Sequence, residues 1–120
     1  MLIDTHCHLD AAEFAADRLA VIDTARAAGV GAFVVPAVSL ATCTDVRELA
    51  KTHADCHPAY GLHPMYLDGV DGGTLTRLRH FIATELASDR PPVAIGETGL
   101  DHFVPGCDEQ RQKDVFLAHL

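Results

Sequence analysis

Two histidines two positions apart, His6 and His8, stand near the start of the chain, and a carboxylate, Glu97, stands far along it. Leu2-Ile3 opens an apolar run of the kind that forms a short buried strand. Side chains at i and i+2 of a strand share a face, so both imidazoles project together, about 6–7 Å apart. Rings at that separation can converge on one cation, while Cys7 points to the opposite side. Asp4 shares the histidines' face and is placed to orient a ring through its second nitrogen, as metal-bound histidines require. The alternative is that two polar residues simply finish a strand; the acidic neighbours Asp4 and Asp10 favour the metal reading.

Glu97 directly follows the apolar run Val93-Ala94-Ile95-Gly96. Carboxylate oxygens suit divalent cations, and one carboxylate can bridge two of them, so His6, His8 and Glu97 form a candidate His/His/carboxylate set. The alternative for Glu97 is a solvated acid in a glycine-rich loop. Tyr60-Gly61-Leu62-His63-Pro64 brings another imidazole to a strand end, where it binds a phosphate oxygen, carries a proton or ligates a cation. Otherwise it stacks in a tight turn before proline. Asp101, four residues past Glu97, is a candidate acceptor beside the site, and Asp10 and Tyr66 are weaker candidates at the same mouth. Nothing specific commends His102. His53, His57 and His80 read as structural, and His119, three residues past Phe116, as a packing residue. No Ser/His/Asp or activated-cysteine arrangement is readable.

These side chains need elements to carry them. Val21, Ile22, Ala25 and Ala28 recur at helical spacing before Gly29, which supplies the stop. Ala32-Phe33-Val34-Val35 reads as a buried strand ended by Pro36. Ser39 or Thr44 caps a second helix with Val46, Leu49 and Ala50 inward. Cys56 to Leu62 contains a third strand, interrupted by His57-Pro58. After the Asp71-Gly72-Gly73-Thr74 turn, a third helix has Leu75, Leu78, Ile82 and Leu86 on its inner face. Val93-Ala94-Ile95 is a fourth strand, and a last helix starts at Asp108 or Glu109 and runs through Val115, Phe116 and Leu120. Apolar strands alternating with amphipathic helices predict an α/β fold with a parallel sheet. An open doubly wound sheet would carry a glycine-rich phosphate turn after an early strand, and none is present. In a (β/α)8 TIM-type barrel, functional residues gather at the C-terminal ends of the strands, which is where His6, His8, His63 and Glu97 fall.

The chain has 120 residues, the length of one domain spanning 1–120, and 48% of them are hydrophobic, ample for a folded core. Nine basic and 17 acidic side chains give a net charge of −8, which argues against broad wrapping of a duplex through Lys/Arg–phosphate contacts. It does not exclude a phosphate held mainly by metal ions. The four cysteines form no Cys-x-x-Cys pair and no disulfide framework. No signal peptide is apparent and no apolar run reaches the ~18 residues of a membrane span, so a cytoplasmic protein is expected.

Leu2-Ile3-Asp4-Thr5-His6-Cys7-His8-Leu9-Asp10 resembles the N-terminal signature of TatD-type metal-dependent deoxyribonucleases at every position. Gly61-Leu62-His63-Pro64 is similar to that family's Gly-x-His-Pro turn, and Gly96-Glu97-Thr98-Gly99-Leu100-Asp101 to its Gly-Glu-x-Gly-Leu-Asp motif. Gln112-x-x-x-Phe116-x-x-His119-Leu120 resembles the helix that follows, where the His119 position is commonly Gln. The resemblance implies a barrel hydrolase with two divalent metal ions (Mg, Mn or Zn). His6 and His8 would hold one ion, Glu97 would bridge both, and His63 would line the pocket for the scissile phosphate, with Asp101 beside it. Metal-activated water would then cleave phosphodiester bonds of DNA, at ends or in single strands.

The family continues with two further ligand histidines and an aspartate at later strand ends, and the sequence reaches Leu120 before any of them. A complete barrel runs to about 250 residues, so about the first four βα units are expected here. Open sheet edges would then favour self-association. Three ligands at best imply weak metal binding and very low turnover by this chain alone. Two other readings share these residues. One is a hydrolase of esters, lactones or amides from the wider amidohydrolase-like superfamily, which has His-x-His in common. The other is a catalytically inactive binding or assembly module whose open face docks a partner.

Overall fold

The computed structural model describes all 120 residues, Met1–Leu120. Strands and helices alternate in the order β1 (Leu2–Asp4), α1 (Arg18–Ala27), β2 (Val30–Pro36), α2 (Leu40–Thr52), β3 (Cys56–Tyr60), α3 (Gly72–Leu86), β4 (Ala94–Ile95) and α4 (Glu109–His119). A short 3-10 turn, Ala12–Phe14, lies between β1 and α1. The four strands are parallel and neighbour one another in chain order, β1-β2-β3-β4. A doubly wound sheet reverses its strand order at a switch point. This one never does, and with a single hand of crossover every helix falls on the same face. The result is an arc of four βα units, half of a (β/α)8 barrel.

Local chemistry accounts for most boundaries. Gly29 takes φ +97° just past α1, a conformation that side chains with a Cβ avoid. Ser39, not Thr44, caps α2, in a reciprocal box with Thr42, and Asp71 caps α3 in the same way with Thr74. Asp108 accepts the Arg111 amide at the start of α4. β3 forms despite its His57-Pro58 interruption, because proline keeps its carbonyl: Pro58 accepts from the Val93 amide at 2.9 Å.

The core lies between the sheet and its helices. Phe33 and Val35 of β2, with Ala37 just beyond it, meet Ile22 of α1, Cys43, Val46 and Leu49 of α2, Leu78 of α3 and Val115 of α4. Ala32 and Val34, alternating with them, are only half-buried. On α3 the expected inner face holds for Leu75, Leu78 and Ile82, but Leu86 in the last turn is exposed. Glu85 takes the buried place instead, with Arg47 Nη1 3.7 Å from its carboxylate. The outer strands leave apolar side chains exposed: Leu2 and Ile3 on β1, Val93 beside β4 and Ile95 within it. No helix is long and apolar enough to cross a membrane.

Candidate metal centre

His6 and His8 lie just past β1, which ends at Asp4, rather than inside the strand. The chain nevertheless continues alongside β2, since the Cys7 amide donates to the Val34 carbonyl at 3.1 Å. Strand-like alternation therefore persists: Cys7 packs against the core and both imidazoles turn away from it. Their Nε2 atoms stand 3.3 Å apart, with ring centroids separated by 5.1 Å and planes at 80°.

Glu97 reaches them from beyond β4. The Gly96 amide donates to Tyr60 at 3.0 Å and the Glu97 amide to Ala37 at 3.3 Å, tying this segment to the ends of β3 and β2. The approach is close enough to require a glycine opposite: a Cβ on Gly61 would sit 2.7 Å from the Gly96 carbonyl carbon and 2.9 Å from the Glu97 oxygen. So positioned, Glu97 Oε2 lies 3.3 Å from His6 Nε2 and 3.5 Å from His8 Nε2.

Protonation states follow from the partners. His8 Nδ1 is 3.1 Å from the Pro36 carbonyl, which only accepts, so Nδ1 carries the hydrogen and a neutral ring presents its Nε2 lone pair to the centre. Glu97 Oε2 is buried there with no hydrogen-bond partner. His8 Nε2 and this oxygen thus face each other as acceptors, an arrangement that a positive charge between them relieves. The three donor atoms, all within 4.8 Å of each other, are placed to hold a cation. A tetrahedral shell with zinc–nitrogen bonds of about 2.0–2.1 Å places neighbouring donors about 3.3–3.4 Å apart, close to the separations found. The residues present fit a divalent cation.

His63 follows the opposite logic. The Met65 amide donates to His63 Nδ1 at 3.1 Å, so in a neutral ring the hydrogen is on Nε2, 3.3 Å from Glu97 Oε1. His63 thus offers an N–H rather than a lone pair. Its ring packs edge-on against Tyr66 at 5.6 Å. His8, His63 and Glu97 share a cleft of about 710 Å³ with Asp10, Glu13, Phe14 and Tyr66, among others. Burial raises the Asp10 carboxyl above its usual range, and one of its oxygens is buried without a partner.

Two expected neighbours serve elsewhere. Asp4 does not orient an imidazole: its Oδ1 accepts the His6 backbone amide at 3.1 Å, and the Pro36 carbonyl orients the His8 ring. Asp101 does not line the cleft. Its Oδ1 accepts the amides of Phe103, at 2.7 Å, and Val104, at 3.3 Å, and so folds its own loop. A short side chain beside two free amides satisfies them before it can reach a site. Conversely, His119 carries more than packing. Its Nδ1 bonds the Val115 carbonyl at 2.7 Å and its Nε2 accepts the Leu62 amide at 3.1 Å, bracing the residue before His63 from α4. Buried Gln112, about two turns earlier on the same face of α4, accepts the Asp101 amide at 2.8 Å. No spacing rule marks Pro36 as a ring-orienting acceptor, whereas the likeness of α4 to a known helix singled out both Gln112 and His119. Cys7 is no nucleophile: burial, with Asp4 next, pushes its thiol up to about 12.

Known proteins share this chain's sequence pattern and fold. The chain is 37% identical to the metal-dependent hydrolase YjjV of Escherichia coli K12, over 96% of this chain and 42% of that protein. It is 33% identical to the 3'-5' ssDNA/RNA exonuclease TatD of Erwinia tasmaniensis, over 99% of this chain and 44% of that one. The crystal structure of YjjV superposes with a TM-score of 0.89 at 34% identity, covering 98% of this chain and 44% of the other. The chain thus spans less than half the length of these relatives. The sequence profile of TatD-related DNases matches residues 3–120, and the chain belongs to that family.

Proposed function

We propose that this chain carries the cation-binding half of a metal-dependent phosphodiester hydrolase acting on DNA or RNA strands. The observation that carries the reading is the convergence of His6 Nε2, His8 Nε2 and a Glu97 oxygen within 4.8 Å of one another, a His/His/carboxylate set of the kind that holds a divalent cation. A divalent cation held there supplies Lewis-acid stabilisation of a phosphoryl oxygen and makes water acidic enough to react near neutral pH. His6 and His8 contribute imidazole nitrogens. Glu97 turns Oε2 toward them, where it would join the imidazoles in holding a cation, and Oε1 toward His63 Nε2. His63 lines the cleft with its Nε2–H at hydrogen-bond range of Glu97 Oε1, and would exchange that partner for a phosphate oxygen bound there, dispersing charge that builds on it. Relatives named as exonucleases support nucleic acid as the substrate, and four free cysteines suit a reducing, cytoplasmic setting.

The test compares binding of a trinucleotide with that of its neutral methylphosphonate analogue, with and without Zn²⁺. Zinc-dependent binding of the anionic trinucleotide alone, lost in His6→Ala, is expected. Equal binding of both, or indifference to zinc, would overturn the phosphodiester reading and favour an uncharged ester or amide substrate.

A further inference from the structure

The cleft that holds His8, His63 and Glu97 contains no lysine or arginine. Its other charged members are Asp10 and Glu13, both acidic. A cation can neutralise the phosphate bound to it, but further backbone phosphates entering this cleft meet only negative charge. Strand binding through several phosphates needs a matching number of basic contacts. What further grip these residues give therefore comes from uncharged parts of the nucleotide.

Flat apolar surface is what the cleft does supply. Phe14, from the 3-10 turn after β1, and Tyr66, from the loop after β3, both line it, with Met65 beside them. The Tyr66 ring is held edge-on to His63 and its backbone amide is bonded to the His63 carbonyl at 2.9 Å, yet 57% of the residue is exposed. A large aromatic side chain fixed at the edge of a phosphate site, with its surface uncovered, is a stacking platform, and every base has a face to stack on it.

Resting on the proposed phosphodiester chemistry, we infer that Tyr66, seconded by Phe14, binds the unpaired nucleobase adjoining the phosphate held at the His6/His8/Glu97 centre. Strand recognition then depends on one phosphate and one stacked base, and hardly on the rest of the backbone.

The chain has no tryptophan and two tyrosines, one of which, Tyr60, is fully buried, so quenching of tyrosine emission reports on Tyr66. With Zn²⁺ bound, dT3 is expected to quench that emission and to bind at least tenfold more tightly than an abasic trinucleotide. Tyr66→Leu should abolish the preference while zinc stoichiometry stays the same. Binding of dT8 should weaken by less than about fivefold between 50 and 200 mM NaCl, as one phosphate contact requires. Equal zinc-dependent binding of dT3 and the abasic strand, an unchanged preference in Tyr66→Leu, or a hundredfold salt effect would overturn this inference and leave the phosphodiester reading standing. Failure of both trinucleotides to bind the zinc-loaded protein would overturn the two together.

Discussion

Nδ1 of His8 donates to the carbonyl oxygen of Pro36 across 3.1 Å, and that contact decides which ring nitrogen faces Glu97. Pro36 is the last residue of β2, so the sheet itself sets the tautomer of a ring carried by the segment after β1. The same logic, with donor and acceptor exchanged, sets His63 through the Met65 amide. Two histidines a few ångströms from one carboxylate are thereby given opposite duties, one offering a lone pair and the other a hydrogen. Backbone groups at strand ends make the assignment without a further ionisable side chain.

Gly61 is the pivot on which this depends. Its missing Cβ would otherwise stand 2.8 Å from the Gly96 α-carbon, backbone against backbone, with no flexible side chain to yield. Gly61→Ala should destabilise the chain by about 1–3 kcal/mol, the usual cost of overpacking. It should also weaken zinc binding roughly tenfold, because Glu97 is displaced from the imidazoles. Urea unfolding and zinc titration of the variant check both; wild-type zinc affinity in a destabilised Gly61→Ala would show that Glu97 does not depend on this approach.

The brace from α4 gives a second expectation. His119→Ala removes the acceptor from the buried Leu62 amide, which should cost about 1–3 kcal/mol. His119→Gln offers a carbonyl oxygen in the same direction and should recover most of the loss. Denaturant midpoints of the two variants decide the point. Equal destabilisation by Ala and Gln would mean that the imidazole matters for its bulk and not for its hydrogen bond.

Away from the site, Asp55 receives two hydrogen bonds from Arg26, both 2.8 Å, and these hold its carboxyl below the ordinary carboxylate range. A carboxyl with a lowered folded-state pKa stabilises above its unfolded value, and the contribution fades as pH falls through the folded value. Asp55→Asn should therefore lower the melting temperature at pH 7, and the gap from wild type should close as the pH drops below the usual carboxylate range. A gap that stays constant with pH would show that the ion pair is not its cause.

Much of this molecule could be read before it was seen, and the reasons are local. The apolar run of β2, the cap at Ser39, the turn from Asp71 into α3 and the stop at Gly29 are written in residues a few positions apart, although the run did not show that Phe33 and Val35, and not Ala32 and Val34, would be fully covered. The convergence of His6 and His8 is equally local, because i and i+2 share a face even where the strand has formally ended. The meeting of Glu97 with those rings, by contrast, joins residues about ninety positions apart, and only its place after an apolar run hinted at it. Side chains whose partners are backbone groups were the least legible. Asp4 and Asp101 carry carboxylates that looked available to a site and are spent on nearby amides. His119 looked apolar in context, yet both of its ring nitrogens are bonded. Leu86 fitted the helical pattern but sits in the last turn of α3, where Glu85 is covered instead.

The central claim is that His6, His8 and Glu97 together hold a cation, and zinc titration of the purified chain tests it most directly, with His53→Ala as a control outside the cluster. The account predicts saturable zinc binding to wild type and to His53→Ala. His6→Ala and Glu97→Ala should each weaken it by more than the roughly 10–100-fold that loss of an outer hydrogen-bond partner costs. Zinc affinity in His6→Ala and Glu97→Ala equal to that of wild type would contradict it.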